Sequence, residues 1–396
     1  MVISKNMEAL VAGSSTIRKL FEEGLQLAAE VGAENVYDFS LGNPAAPVPE
    51  KVTQSIKDIL AENPDAYVHG YMKNAGFDEV RVNVANSLNK KFDMGYGPED
   101  VVMTVGAAGA MNCVFRALLG YEDEVIAFAP YFGEYRSYVA NYGGILKVVP
   151  AKLDDFDLNL DELDALINEK TKCVIVNNPN NPSGKVYPAA TLQKLADILE
   201  KAEKRVGHPI YVIADEPYRE LVYDGDEVPY IPSIIKNSIY MYSFSKTLSL
   251  PGERIGYMAL SKRMDYYEEM IGAMVVANRC LGYINAPSLF QLVVSRCLDV
   301  DVDLEFYDKN RKLLYSKLTE LGFEVVKPQG AFYLLVKSPY ENEEEFVKAA
   351  KKNHIILVST KTFGCPGYVR IAYCVDYKMI ERSLPAFEQL AKDCGL

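Results

Sequence analysis

The sequence has few of the residue patterns that mark metal, membrane or nucleic-acid-binding proteins. Only three histidines occur among 396 residues, and the seven cysteines are scattered with no C-x-x-C pair, so we expect no metal site. No stretch of ~18 apolar residues is present, so no membrane-spanning helix is expected. Basic residues form no cluster beyond short pairs such as Lys90-Lys91. With a net charge of −12, the chain is not expected to bind nucleic acid or an acidic membrane.

Length and composition are those of an ordinary soluble globular protein. Hydrophobic residues make up 49% of the 396 residues, which is enough to bury large cores, and the length favours two or three domains. The odd number of scattered cysteines fits reduced thiols. Because Met1 to Leu20 contain no uninterrupted apolar run behind a basic segment, secretion is not expected and the expected location is cytoplasmic.

From residue 100 onwards, short apolar runs alternate with longer amphipathic segments. Leu192, Leu195 and Leu199 recur at helical spacing with Lys and Glu facing away, which predicts a helix between two strands. The alternation predicts an α/β fold with a mostly parallel sheet covered by helices. The predicted strands are 101–105, 124–130, 145–150, 172–176, 211–215, 239–244 and 255–260.

The pattern changes after residue 290. A long charged helix is predicted around 307–321, followed by a strand pair at 323–326 and 331–336 and a further strand at 368–373. This order of elements predicts a second, smaller α+β domain.

The segment Ser243-Phe244-Ser245-Lys246 closes a β-rich run, and Arg254 follows eight positions after the lysine. A lysine amine does covalent chemistry only when it is held beside a carbonyl and its pKa is lowered. Pyridoxal phosphate supplies an aldehyde for the amine and a phosphate that suits small hydroxyls and a cation. The segment therefore predicts a lysine that anchors this cofactor, although a solvated loop lysine gives the same local pattern.

Two segments upstream end apolar strands with polar residues. Asp215 ends the run 211–215, where ligands of open α/β sheets bind. A carboxylate at this place can keep the pyridine nitrogen of the cofactor protonated by raising the pKa of that nitrogen. The same aspartate could also cap the helix that Glu216-Pro217 would begin, and the two roles are compatible. The strand 173–176 leads into residues 177–184, which are too rich in Asn, Pro and Gly to stay regular.

Together these segments resemble the class I and II aminotransferases, which are pyridoxal-phosphate enzymes of fold type I. Residues 178–184 match the family's Asn-Pro-x-Asn-Pro-Ser/Thr-Gly loop without a gap, and Ser243 to Arg254 match its Ser-x-x-Lys…Arg pattern. The resemblance implies that Asn181 contacts both the cofactor and the substrate carboxylate, and that Tyr218 hydrogen-bonds the cofactor's 3′ oxygen. It implies a large cofactor-binding domain with a seven-stranded sheet (46–285) and a discontinuous small domain (1–45 and 286–396).

A small-residue segment at 104–110 follows a strand and opens an apolar helix. Small side chains let a phosphate approach the free amides of a helix N-terminus, so Gly106, Ala107 and Ala108 are expected to form the phosphate cup. The alternative is that the glycines merely allow tight packing of strand against helix. By resemblance, Tyr131 is expected to stack on the pyridine ring.

Three further residues are assigned mainly by their places in the family pattern. Arg370 alternates with Val369 and Ile371 in a strand, and an arginine in a half-buried sheet needs an anion. The resemblance makes that anion the substrate α-carboxylate, with Gly42 beside it. Tyr71, five residues before Gly76, resembles the tyrosine that reaches the phosphate of the neighbouring subunit, which implies a homodimer.

The implied activity is ping-pong transamination between an L-amino acid and a 2-oxo acid, with Lys246 as cofactor anchor and proton-transferring base. The chain most resembles the bacterial aspartate aminotransferase subgroup, in which a lysine often follows the two small residues of the phosphate cup. Here that position is Ala108. An aspartate enzyme would need another cation, such as Arg18, Lys19 or Arg279, and neutral or aromatic substrates stay open.

The same constellation would serve other reactions of this fold. A C–S lyase or an aminocyclopropane-carboxylate-synthase-like enzyme shares the chemistry up to the carbanion. A ligand-sensing aminotransferase-like module fits less well, because the enzyme-like pattern begins by residue 35. Besides Ala108, the departures from the family pattern are the stretch from Leu248 to Pro251 and the absence of tryptophan.

Overall fold

The computed structural model of the protein describes residues 2–3, 5–12 and 16–396. None of the described helices combines the length and the apolar composition needed to cross a bilayer. The helices are α1 (Lys5–Ala12), α2 (Thr16–Val31), α3 (Glu50–Glu62), α4 (Asp65–His69), α5 (Asp78–Phe92), α6 (Gly106–Leu118), α7 (Glu134–Ala140), α8 (Ala189–Val206), α9 (Ile231–Ile234), α10 (Phe244–Thr247), α11 (Tyr267–Cys280), α12 (Ser288–Arg296), α13 (Leu304–Glu320), α14 (Glu343–Lys352) and α15 (Tyr377–Cys394). The strands are β1 (Tyr37–Asp38), β2 (Val101–Thr104), β3 (Glu124–Phe128), β4 (Ile145–Val149), β5 (Thr171–Asn177), β6 (Tyr211–Asp215), β7 (Ser238–Ser243), β8 (Gly256–Leu260), β9 (Val325–Val326), β10 (Tyr333–Lys337), β11 (Ile355–Ile356), β12 (Val358–Ser359) and β13 (Tyr368–Ala372).

The larger domain is built on a seven-stranded sheet in the order β2-β8-β7-β6-β5-β3-β4. Neighbouring strands run parallel except where β8 pairs with β2 and β7. One face packs on α3, α5 and α8, and the other packs on α6, α7 and α11. Because both faces are covered, the central strands have continuous apolar sequences rather than alternating ones. The prediction of a mostly parallel, helix-covered sheet is confirmed.

The smaller domain contains a four-stranded antiparallel sheet in the order β12-β13-β10-β9. Helices α13, α14 and α15 pack with this sheet around a separate hydrophobic core. Asp303, Asn342 and Asp376 precede these three helices, and their side chains accept hydrogen bonds from backbone N–H groups of the first turn. The second domain is therefore α+β, as its pattern predicts.

The N-terminal segment packs with this smaller domain. Strand β1 pairs in parallel with β11, and Leu20 and Val36 are buried against Ile356, Val358 and Phe363. This packing supports a discontinuous small domain, whose limits stay a proposal.

Helix α12 lies beyond the expected domain limit at residue 285 but packs with the larger domain. It contacts α3 and α5, and Leu292, Val293 and Val294 are buried in the core on that side of the seven-stranded sheet. A limit after Cys297, which is buried in the same core, fits the packing better than one at 285. We therefore propose that the larger domain ends there.

Candidate active site

A cavity of about 370 Å³ lies between the domains, at the carboxyl ends of β5, β6 and β7. The last residues of these strands, Asn177, Asp215 and Ser243, all line it. This edge is where ligands of open α/β sheets bind. Of the residues expected from the sequence, those on the cavity wall are Gly42, Ala107, Ala108, Asn181, Asp215, Tyr218, Ser243, Ser245, Lys246, Arg254 and Arg370.

Lys246 lies in the short helix α10, directly after β7. The Ser243 hydroxyl caps this helix by accepting a hydrogen bond from the backbone N–H of Ser245 at 3.3 Å. The Lys246 amine donates a 2.8 Å hydrogen bond to the carbonyl of Gly42. Burial, together with the positive charges of Arg370 and Arg254, lowers the pKa of this amine to about 8. The amine is therefore a far better nucleophile and base near neutral pH than an ordinary lysine.

Asp215 is buried at the end of β6 with only part of its carboxylate satisfied. Its Oδ2 accepts hydrogen bonds from the Tyr135 hydroxyl and, at 3.3 Å, from the Asn177 side-chain amide. Its Oδ1 is buried with no hydrogen-bond partner among the described residues. Burial raises the pKa of Asp215 to about 6 against a smaller lowering by Tyr135. A cationic N–H placed at Oδ1 would satisfy this oxygen and stabilise its charge.

An anion-binding corner forms where α6 begins. Gly106 has a φ of +68°, and a Cβ built on it would lie 3.1 Å from the Arg254 guanidinium, so glycine lets Arg254 approach the helix N-terminus closely. The Arg254 Nη1 donates to the Pro251 carbonyl at 2.8 Å, which fixes the guanidinium. The hydroxyls of Ser243 and Ser245 lie 2.8 Å apart on the same cavity wall. Free amides, a cation and hydroxyls are the groups that hold a phosphate.

Arg370 reaches the cavity from β13 of the smaller domain and is 2% exposed. Its Nη1 donates to Asn181 Oδ1 at 3.1 Å and its Nη2 to the Ser40 carbonyl at 2.6 Å. Its Nε has no partner among the described residues. The guanidinium centre lies 4.5 Å from the ring centroid of Tyr333, which supports it from one face. A carboxylate entering the cavity would find an oriented, buried guanidinium with a free donor.

Gly42 and Tyr218 meet at Tyr333, a residue that the sequence patterns did not single out. A Cβ on Gly42 would lie 2.0 Å from the Tyr333 hydroxyl, so only glycine fits there. That hydroxyl lies 3.0 Å from the hydroxyl of Tyr218. Because Gly42 has no side chain, two contacts are possible at this point. The Gly42 carbonyl accepts the hydrogen bond from the Lys246 amine, and the hydroxyls of Tyr218 and Tyr333 lie together beside it.

The residues present fit pyridoxal phosphate. The unpartnered Asp215 Oδ1 suits the protonated ring nitrogen, the Gly106 corner with Arg254 suits the phosphate, and the low-pKa amine of Lys246 suits the aldehyde.

The structure corrects the expectation for Tyr131. Tyr131 is 2% exposed and does not line the cavity; its hydroxyl accepts a 2.8 Å hydrogen bond from Arg136, and its backbone N–H donates to the Phe363 carbonyl. The next residue, Phe132, lines the cavity instead. The backbone turns between β3 and α7, and this turn, not the apolar character of either ring, decides which aromatic faces the cavity.

Tyr135, Tyr138 and Asn177 also line the cavity and were not expected from the sequence. Asn177 could have been found, because it ends β5 opposite Asp215 in the parallel register. Tyr135 and Tyr138 lie on α7, which has only seven residues, too few for a clear periodic signal.

Two further residues expected from the sequence, Tyr71 and Arg279, do not line the cavity of the single chain. Tyr71 is 91% exposed, and its contact with a neighbouring subunit stays a proposal. Arg279 is exposed and does not line the cavity. The side chains of Arg18 and Lys19 lie outside the described residues.

Comparison with known proteins gives consistent results over the whole chain. The family model for aminotransferase class I and II matches residues 33–387. Aromatic-amino-acid aminotransferase 2 of Thermococcus litoralis is 29% identical, with 99% of each chain covered. An aspartate aminotransferase of Thermotoga maritima is 27% identical over 98% of this chain and 96% of its own. The crystal structure of an amino transferase from Eubacterium rectale superposes with a TM-score of 0.97 at 44% identity and covers 100% of both chains.

Proposed function

The chain belongs to the aminotransferase class I and II family and is an aminotransferase, and we propose that it uses pyridoxal 5′-phosphate to move an amino group between an L-amino acid and a 2-oxo acid by a ping-pong mechanism. One observation carries the proposal. The Lys246 amine, with its pKa lowered to about 8, faces a cavity shared with the half-satisfied carboxylate of Asp215 and the buried guanidinium of Arg370. With this combination, the lysine amine can bind a carbonyl compound while the arginine binds the carboxylate of an amino acid next to it.

When bound, pyridoxal phosphate supplies an aldehyde for the amino group and a ring that withdraws electrons from the α-carbon. The Gly106 corner, Arg254 and Ser245 would hold its phosphate, and Asp215 its ring nitrogen. Tyr218 would hydrogen-bond the 3′ oxygen, and Phe132 would cover one face of the ring. Asn177 and Tyr135 keep the Asp215 carboxylate oriented through their hydrogen bonds.

The chain's own groups supply the binding and proton-transfer steps. Arg370 binds the α-carboxylate of the amino acid through its free donor positions, with Asn181 holding the guanidinium in place. The Lys246 Nζ then removes the proton from the substrate α-carbon, because an amine with a pKa near 8 is a competent base at neutral pH. In the cofactor-free chain, the Gly42 carbonyl accepts a hydrogen bond from Nζ and so fixes the position of the amine at the cavity wall.

Relatives leave the amino donor open, since some are named for aspartate and one is named for aromatic amino acids. Our aspartate-aminotransferase-like proposal therefore covers the fold, the site and the mechanism. The preferred amino donor has to be inferred from the residues that line the cavity. We also propose a homodimer in which Tyr71 reaches the partner's cofactor phosphate. A cytoplasmic location is proposed because all seven cysteines are free, five of them buried.

The experiment that tests this function is a single-turnover reaction of the cofactor-loaded protein with individual L-amino acids. Loss of the absorbance of the lysine-bound cofactor and release of the matching 2-oxo acid support transamination, and a 2-oxo acid added afterwards should restore the absorbance. Lys246→Ala should do neither, whereas Lys185→Ala, a lysine that does not line the cavity, should behave as wild type. Pyruvate and ammonia formed without an acceptor would instead identify a lyase.

A further inference from the structure

All but one of the charged side chains on the cavity wall have an assigned binding partner under the proposed function. Five charged residues line the cavity in the described chain, namely Glu134, Asp215, Lys246, Arg254 and Arg370. Under the proposed function, on which this inference rests, the three cations and Asp215 hold cofactor and α-carboxylate. Among the described residues, no cation on this wall is left to bind a second carboxylate, and Glu134 is the one remaining charged residue.

Glu134 begins α7 on a wall that α6 and α7 build together. The two helices pack on each other, and Ala108 and Met111 of α6 line the cavity beside Glu134 and Tyr138 of α7. We refer to these four residues as the α6–α7 wall. Glu134 and Tyr138 are four residues apart, so they share a helix face. Apart from Glu134, this wall is apolar or aromatic.

The Glu134 carboxylate is partly buried and makes no hydrogen bond or ion pair with any described residue. The charge of Glu134 acts on its neighbour Tyr138. Burial is the main cause that raises the pKa of Tyr138 to about 12, and the charge of Glu134 is the next largest. A carboxylate in a partly desolvated place is an acceptor without a donor. A ligand group that donates a hydrogen bond, or that carries a positive charge, would satisfy it.

The start of α7 also lies where the two domains meet. A Cβ on Gly133 would lie 3.4 Å from the Thr362 carbonyl, and Thr362 follows β12, whose Val358 pairs with Arg370. An amino acid with its carboxylate on Arg370, its amino group at the cofactor aldehyde and its α-hydrogen facing Lys246 has one substituent left, its side chain. On the α6–α7 wall, the backbone of Ala108 is already assigned to the phosphate, whereas the side chains of Met111, Glu134 and Tyr138 have no assigned partner.

We propose that the α6–α7 wall is the side-chain subsite of the amino donor and that Glu134 sets its specificity. The subsite takes an uncharged or cationic side chain that ends in a hydrogen-bond donor, and it rejects the second carboxylate of aspartate and glutamate. Rejection follows because two carboxylates brought together in a cavity repel, whereas an N–H or O–H donor is attracted by Glu134.

Glutamine and glutamate are the sharpest pair of donors for the test, because they have the same shape and differ only in the charge and donors of the side chain. With the cofactor-loaded enzyme, we expect kcat/KM for glutamine to exceed that for glutamate by at least about tenfold. Glu134→Gln should reduce this ratio of glutamine to glutamate by about tenfold or more. Glu134→Asp, which keeps the negative charge, should still prefer glutamine. Glu381→Gln, which removes an exposed glutamate on α15, should leave the ratio unchanged.

Unfolding midpoints of the variants establish that they fold, and the wild-type ratio tests the proposal even if one of them does not. A wild-type enzyme that prefers glutamate, or a ratio that Glu134→Gln does not move, overturns the subsite while leaving the aminotransferase activity in place. Absence of turnover with every donor overturns the proposed function, and the subsite with it.

Discussion

Replacing Asp215 with asparagine should stabilise the cofactor-free protein while it weakens the cofactor complex. In the folded protein the pKa of Asp215 is raised from 3.8 to about 6, so the folded state holds a proton that the unfolded chain has already lost between those values. The free energy of unfolding therefore falls as pH rises through this window. Above pH 6 it stays lower by roughly 3 kcal/mol, which is the cost of about two pKa units.

The expected gain in the free energy of unfolding depends on which hydrogen bonds asparagine retains and on the unpaired amide group that it introduces. Its side-chain oxygen can still accept the hydrogen bonds from Tyr135 and Asn177. Its amide group meets the place where Asp215 Oδ1 has no partner, which costs about 1 kcal/mol. At pH 8 the cofactor-free Asp215→Asn protein should thus unfold with about 2 kcal/mol more free energy than wild type. By pH 4.5, where Asp215 is mostly protonated in the folded state, the gain should shrink to near zero.

Urea unfolding of both proteins at a fixed concentration measures this difference at the two pH values. Asp161→Asn, which removes an exposed carboxylate, serves as the matched control and should show no such pH dependence. Adding pyridoxal phosphate should reverse the ranking, because only the carboxylate can pair with a protonated ring nitrogen. The reasoning is refuted if the cofactor-free variant is less stable than wild type at pH 8, or if its advantage is the same at both pH values.

Three more predictions concern Lys246, Arg370 and the Tyr131/Phe132 pair. Because an amine reacts only when unprotonated and the pKa of Lys246 is lowered to about 8, the rate of cofactor capture by the free protein should rise with pH and level off above 8; a stopped-flow profile still rising at pH 10 would contradict this. Arg370→Lys should lower kcat/KM for amino donors about 100-fold in steady-state assays, since the bidentate grip on the carboxylate is lost, and an unchanged value would remove Arg370 from the substrate site. Phe132→Leu should weaken cofactor affinity about tenfold in a titration, because the contact with the cofactor ring is lost, whereas Tyr131→Phe should leave it unchanged. A larger loss of affinity in Tyr131→Phe than in Phe132→Leu would instead favour Tyr131 as the stacking residue, as expected from the sequence.

The sequence predicts the architecture well because its signals are local and strong. Strands such as β5 and β6 are short apolar runs ended by polar residues, and α8 has a clear helical period, so their order alone implies the sheet. The motif residues with fixed neighbours, Lys246 after β7 and Asp215 at the end of β6, lie together because parallel strands bring their carboxyl ends to one edge.

The remaining features depend on backbone direction and packing, which no local pattern contains. Tyr131 and Phe132 are adjacent aromatics, and only the turn before α7 decides which one faces the cavity. The orientation of Glu134 likewise depends on how α7 packs against α6. Helix α12 has an amphipathic sequence that suits either domain, and its contacts with α3 and α5 are non-local.

Gly42 and Arg370 lie on opposite sides of the large-domain sequence, yet they close the same cavity. During synthesis, Lys246, Asp215 and the residues around Gly106 have all left the ribosome before β13 has been translated. A chain that stops before β13 would possess every proposed cofactor contact of the larger domain and lack the guanidinium that holds the amino acid. Cofactor retention and substrate turnover therefore report on different stages of the chain's completion, and turnover is the later of the two.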